Sequence, residues 1–321
     1  MSEWIKKLLS PLHSLGSSRR RHGIPRLRAE LAVLRRQVVS TLELAGAAEA
    51  RRVRALPPRT PLREAEFKVY SQFGDDGILQ YLTSHIPANP SFVEFGVEDY
   101  TEANTRFLLV QDKWRGLIID GRPDLDAVVV AQGLPMLFDL EIRSAFITAE
   151  NINEVIRGAG FSGTIGLLSV DIDGNDYWVW KAITCVQPQI VVAEYNAVFG
   201  ARRAVTVPYA PDFTRQQAHP SWLYFGASLP ALCRLAEEKG YAFVGCNEAG
   251  NNAYFVIKEL ASSFLVLTPE EGFVDSRFRE SRDALGRMDR LGGPARLAAI
   301  SDLPVVDLDT GQRILLGDMG S

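Results

Sequence analysis

The chain has 321 residues, 46% of them hydrophobic and 23% charged, the balance of a globular protein with material for one large domain and extensions. Its net charge of −4 hides an asymmetry. Residues 1–60 carry 13 Lys+Arg against 4 Asp+Glu, so the remaining 261 carry 22 against 35. A basic arm precedes an acidic body, and such a body is not expected to bind nucleic acid.

The segment "WIKKLLSPLHSL" is too short and too charged to span a membrane, and Pro11 breaks the apolar run that a signal peptide needs. Three cysteines without a CxxC pattern indicate neither a disulfide framework nor a zinc site, so a cytoplasmic setting is expected. After "RRRHGIP", Leu27, Leu31, Leu34 and Val38 recur at steps of four and three, one apolar stripe on a helix. That stripe suits packing on the body or on another copy; the basic charge suits peripheral contact with an anionic membrane or glycan. "LPPRTP" (56–61) reads as a linker. The expected organisation is an arm and linker over 1–62, a main domain over 63–270 and a C-terminal extension over 271–321.

From residue 70 strands and helices alternate. "SFVEFGV" (91–97) predicts a strand and "NTRFLLVQD" a helix. "GLIID" (116–120) predicts a second strand, and "PDLDAVVVAQ" a helix with Pro123 at its N-terminal position. "LPMLFDLE" predicts a third strand, followed by a helix around 149–158. "LLSVDIDGNDYWVWKAI" (167–183) predicts a fourth strand turning into a helix, and "QIVVAEYN" (189–196) a fifth strand. "SLPALCRLAEEKGY" is a helix ending at Gly240, before a hairpin-like pair, "AFVGCNE" and "NNAYFVIK". This order argues an α/β fold, doubly wound, with a mostly parallel sheet covered by helices on both faces.

The strand tips carry the chemistry. The first ends in Glu94, Gly96, Glu98 and Asp99, with Asn104 opening the next helix; the second ends in Asp120, 24 residues beyond Gly96. A glycine in the first turn and an acid at the second tip form a nucleoside-binding arrangement, the acid taking two ribose hydroxyls. No GxGxxG is present, and the acids that replace it would repel a pyrophosphate while suiting a sulfonium and an ammonium. That favours S-adenosylmethionine over NAD or ATP.

These segments, in this order, resemble the FkbM-like S-adenosylmethionine-dependent methyltransferases, from "YSQFGDDGIL" (70–79) to about residue 258. Asp171, Ile172, Asp173 and Gly174 fit the family's fourth-strand signature, whereas Tyr100 and Thr101 stand where its first motif has a second glycine. The resemblance implies a Rossmann-like class I fold and O-methylation of a sugar, glycan or polyketide-type acceptor. It also implies a cofactor boundary formed by Gln72, Asp76, Glu94, Gly96, Asn104 and Asp120. Glu98, Asp139 in the third strand and Asp171 complete the cofactor-side set.

Asp171, Asp173 and Glu194 are the catalytic candidates at adjacent strand tips. With Asn196 they also offer hard oxygen ligands for Mg²⁺. His219, in "QQAHPSW", is the general-base candidate. Plainer roles compete: Asp120 as a helix cap, Asp171 and Asp173 as turn residues, His219 as a solvated loop residue. Trp178 and Trp180 read as packing. Two other functions fit parts of the chain: a metal-dependent glycosyltransferase using the Asp-x-Asp at 171–173, and a scaffold without catalysis.

Overall fold

Each central strand buries both of its faces. Val93 and Phe95 point to one side of the sheet and Phe92 to the other; Leu168 and Val170 oppose Leu167, and Val191 and Ala193 oppose Ile190 and Val192. Strands apolar on both sides need a layer of helices on each. In the computed structural model, which describes residues 17–320, helices Ile152–Gly158, Asp176–Ala182 and Leu229–Glu238 cover one face. Helices Asp75–Ser84, Arg106–Asp112 and Leu125–Ala131 cover the other.

The sheet has seven strands: β1 (Ser91–Phe95), β2 (Arg115–Asp120), β3 (Leu140–Ser144), β4 (Gly163–Val170), β5 (Val186–Glu194), β7 (Tyr241–Cys246) and β8 (Asn252–Ile257). Their order is β3-β2-β1-β4-β5-β8-β7. The first five pair in parallel, and β8 enters antiparallel between β5 and β7. This is the expected doubly wound, Rossmann-like arrangement. A second, antiparallel sheet joins β6 (Val205–Thr206) to β9 (Pro304–Asp307) and β10 (Arg313–Leu315), so the C-terminal segment returns to the loop after β5.

Two local expectations need correction. The third strand does not begin in "LPML": Leu134–Leu137 form one helical turn after Gly133 (φ +77), with Met136 and Leu137 exposed, and β3 starts at Leu140. An apolar run that short has the same pattern in either conformation. Pro123 lies before the helix rather than in it, because Asp124 is the N-cap. In the arm, a helix spans Ser17–Arg54, and its stripe Leu27, Leu31, Leu34 and Val38 is exposed. "WIKKLLSPLHSL" lies outside the described residues. A compact unit begins at Glu49. No helix among the described residues is long and apolar enough to cross a membrane.

Candidate active site

The strand order reverses between β1 and β4, and ligands bind at such a switch point, outside the carboxyl ends of the strands. A cavity of about 780 Å³ opens there, lined from the tips of β1, β2, β4 and β5 and from the C-terminal segment.

Glu94, near the end of β1, is buried and holds the next helix in place. Its Oε1 accepts from the Asn104 amide (2.9 Å) and the Ser169 hydroxyl (3.3 Å), and its Oε2 from the Thr105 amide (3.1 Å) and hydroxyl. Burial raises its pKa against these four donors. Asp120, at the tip of β2, accepts from the amides of Glu98 and Arg122, both at 2.8 Å. It therefore orders the β1 loop and its own turn rather than capping a helix. Glu98 and Tyr100 adopt left-handed φ values of 50° and 60° there, and Asp173 one of 55°, a concentration of backbone strain around one cavity.

Gly96 has a steric reason that its motif does not show. At φ +79, a Cβ would lie 1.4 Å from the Asp171 carbonyl oxygen. The glycine admits the backbone just after β4.

The β4 turn is closed by Asp176, whose carboxylate accepts from the amides of Ile172 (2.8 Å) and Gly174 (2.9 Å). Asp176 was not among the sequence candidates; its pKa is raised to about 6, by burial first. Asp171, Asp173 and Glu194 each present an oxygen within 4.8 Å of the others. Desolvation, followed by repulsion from neighbouring carboxylates, pushes Asp171 and Glu194 well above the usual range. Glu194 Oε2 has no hydrogen-bond partner among the described residues.

Arg215 also lines the cavity and was not among the sequence candidates. Its guanidinium bonds Asp173 (2.7 Å), reaches Glu280 (3.6 Å), donates from Nε to the Trp222 carbonyl (2.5 Å) and lies 4.2 Å over the Phe225 ring. The reading chose His219 in the same loop. His219 does not line the cavity; its Nδ1 lies 2.7 Å from the Ser221 hydroxyl and accepts from the Ser221 amide.

Gln72, Glu94, Gly96, Glu98, Asn104, Asp120, Asp171, Asp173 and Glu194 all line the cavity. Two expected cofactor residues do not. Asp76 is buried beneath the loop 69–71, its Oδ2 accepting three successive amides, so it shapes the loop that presents Gln72. Asp139 precedes β3, at the amino end of the sheet, where it pairs with Arg115 (3.6 Å). The apolar wall beyond β3 is instead Ala145, Phe146 and Ile147. Asn196 lines the cavity, but its amide group donates to the carbonyls of Leu223 and Phe225 and its Oδ1 accepts from Val198, so it is a loop anchor. Tyr177 and Trp180 are core residues, and Trp178 donates to the Val207 carbonyl.

No protein-family model and no curated protein matches the chain. Among solved structures, the N-terminal domain of EvdMO1 with SAH bound is similar at 13% identity and a TM-score of 0.37, covering 64% of this chain and 93% of that one. The carbon methyltransferase CurJ is similar at 10% identity and a TM-score of 0.36, covering 57% of this chain and 54% of that one.

Proposed function

We propose that the chain is an S-adenosylmethionine-dependent methyltransferase that methylates a hydroxyl of a sugar, glycan or polyketide-type acceptor. The charge of the cavity carries this reading. Nine carboxyl groups line it against two guanidiniums, Arg215 and Arg296; with Glu94, Asp171 and Glu194, whose pKa is raised, counted as neutral, six carboxylates remain, an excess that repels a dinucleotide's phosphates and attracts a sulfonium and an ammonium. The residues fit the rest of such a cofactor. A carboxylate has about four lone-pair sites; Asp120 spends two on amides, which leaves two for a ribose diol.

When bound, that cofactor supplies a methyl group already activated on sulfur. What remains for the chain is alignment of the acceptor and removal of its proton. Asp171 and Glu194, at the tips of β4 and β5, stand where a hydroxyl entering past Phe213, Trp222 and Phe225 would donate. Arg215 fixes Asp173 beside them. With Asp173, the same two acids form an oxygen set that fits a hard divalent ion such as Mg²⁺, which would lower the hydroxyl's pKa.

Calorimetric titration with S-adenosylhomocysteine tests the reading, and saturable 1:1 binding is expected. Binding of a nucleoside-diphosphate sugar with Mn²⁺ in its place would make the chain a glycosyltransferase; binding of neither would make it a scaffold. Loss of turnover on adding EDTA, restored by Mg²⁺, would assign the carboxylates to a metal.

A further inference from the structure

Trp222 holds a backbone conformation that bulky side chains avoid. Its φ is 61°, and strain of this kind persists only where the surroundings over-determine it. Three hydrogen bonds do so. The Trp222 amide donates to the His219 carbonyl (3.0 Å), the Trp222 carbonyl accepts from Arg215 Nε (2.5 Å), and the Ser221 carbonyl accepts from the Arg282 amide (3.3 Å). The indole is fixed as firmly as the backbone. The Arg282 guanidinium lies 3.8 Å from its ring centroid, the separation of stacked planes. Arg282 Nε is buried without a hydrogen-bond partner among the described residues, a donor left idle in favour of the ring. Trp222 lines the cavity and Arg282 does not. The guanidinium therefore backs the face turned away from the cavity and leaves the other face to it. Of the neighbouring rings, Phe225 is covered by Arg215 at 4.2 Å and Phe213 packs against Gly174.

Arg215 sets the free face of Trp222 beside the reacting groups. The guanidinium that holds the Trp222 carbonyl also bonds Asp173 at 2.7 Å, and the oxygens of Asp173, Asp171 and Glu194 lie within 4.8 Å of one another. Gln216, next to Arg215, and Glu280, which Arg215 reaches at 3.6 Å, line the same cavity. An aromatic face bordered by hydrogen-bonding side chains suits a molecule with an apolar face and a polar rim. A pyranose has that form, with axial C–H bonds on its face and hydroxyls around its edge. A polyketide chain would set methylenes against Gln216 and Glu280 and leave both unpaired. We propose, resting on the methyltransferase reading of the same cavity, that Trp222 is the platform on which a pyranose acceptor stacks, one rim hydroxyl directed at Asp171 and Glu194.

Saturation-transfer NMR on the full chain with S-adenosylhomocysteine tests this, with the methyl glycosides of glucose, galactose and mannose at millimolar concentration as probes. Irradiation of aromatic protons should saturate at least one glycoside unevenly, most strongly at the C–H protons of one ring face. Trp222→Phe should keep the pattern. Trp222→Leu should weaken the glycoside about tenfold, with the unfolding midpoint and the affinity for S-adenosylhomocysteine as in the wild type. If Trp222→Leu does not fold, the shift of the Trp222 indole N–H resonance on adding the glycoside to the wild type, assigned from Trp222→Phe, makes the same test. Transfer to none of the three glycosides, or transfer unchanged in Trp222→Leu, overturns the proposal, and so does transfer to a 3-hydroxyacyl thioester in their place. A chain that stacks a glycoside on Trp222 without binding S-adenosylhomocysteine keeps the platform and loses the methyltransferase reading. One that binds S-adenosylhomocysteine and no glycoside loses the platform alone.

Discussion

Asp171 is held in a place that costs it stability when it ionises, since desolvation and the acids around it favour its neutral form. Removing its charge separates its two uses. Asp171→Asn should cut turnover by about 10²-fold or more, the range for loss of a general base, while the midpoint of thermal unfolding stays level or rises because a repulsion is gone. A variant of full activity would return Asp171 to the turn. Asp120 gives the complementary test on the cofactor side. Asp120→Ala removes charge-assisted hydrogen bonds of about 1.5–3 kcal/mol each, so affinity for S-adenosylhomocysteine should fall tenfold or more in calorimetry. Unchanged affinity would leave Asp120 only the amides of Glu98 and Arg122.

Between β1 and β4 the critical contact is backbone on backbone. Gly96→Ala would put a methyl 1.4 Å from the Asp171 carbonyl at a φ that side chains avoid. Unfolding in urea should show a loss of about 3 kcal/mol or more; a loss below 1 kcal/mol would mean that the loop yields freely. The sequence marks Gly96 as special, but the body that approaches it comes from 75 residues later, which no local pattern reveals. The same limit explains what was legible. β1, β2, β4 and β5 could be read because both of their faces are apolar and turns bound them, and their acids followed because strand tips locate themselves. Leu134–Leu137 could not, since four apolar residues carry no period. Asp139 was misplaced because the strand it precedes begins later than its apolar run. Arg215 was hidden for another reason: its partners Asp173 and Glu280 lie 42 and 65 positions away, and a lone arginine in a polar loop has no pattern. His219 drew the eye because histidine titrates near neutrality, a property of the residue and not of its surroundings.

Across the whole molecule the buried acids set how stability responds to pH. Asp176 is raised from 3.8 to about 6 and Glu66 from 4.5 to about 7, both by burial first. A raised acid binds its proton more tightly folded than unfolded, so its contribution is fully present below the unfolded pKa and is lost as pH rises through the folded one. The ligand-free protein should therefore lose stability between about pH 4 and pH 7, measured as a falling unfolding midpoint; a rising midpoint would contradict the assignment. Where the chain can be cut follows from the same accounting of buried groups. The compact unit begins at Glu49, and its first residues are tied in. Ala50 and Val53 are buried, Arg54 bonds Gln80 and Asp112, and the Thr60 amide donates to the Tyr81 hydroxyl (3.1 Å). Removal of residues 1–48 should leave both the unfolding midpoint and the affinity for S-adenosylhomocysteine unchanged. Removal of residues 1–60 exposes the surfaces that Ala50 and Val53 cover. Loss of a buried valine alone amounts to about 1.5–3 kcal/mol, which at roughly 2–4 °C per kcal/mol lowers the midpoint by several degrees. If the shorter cut weakens the ligand, the arm is part of the site; if the longer cut is as stable as the shorter, the end of the helix adds nothing to the fold.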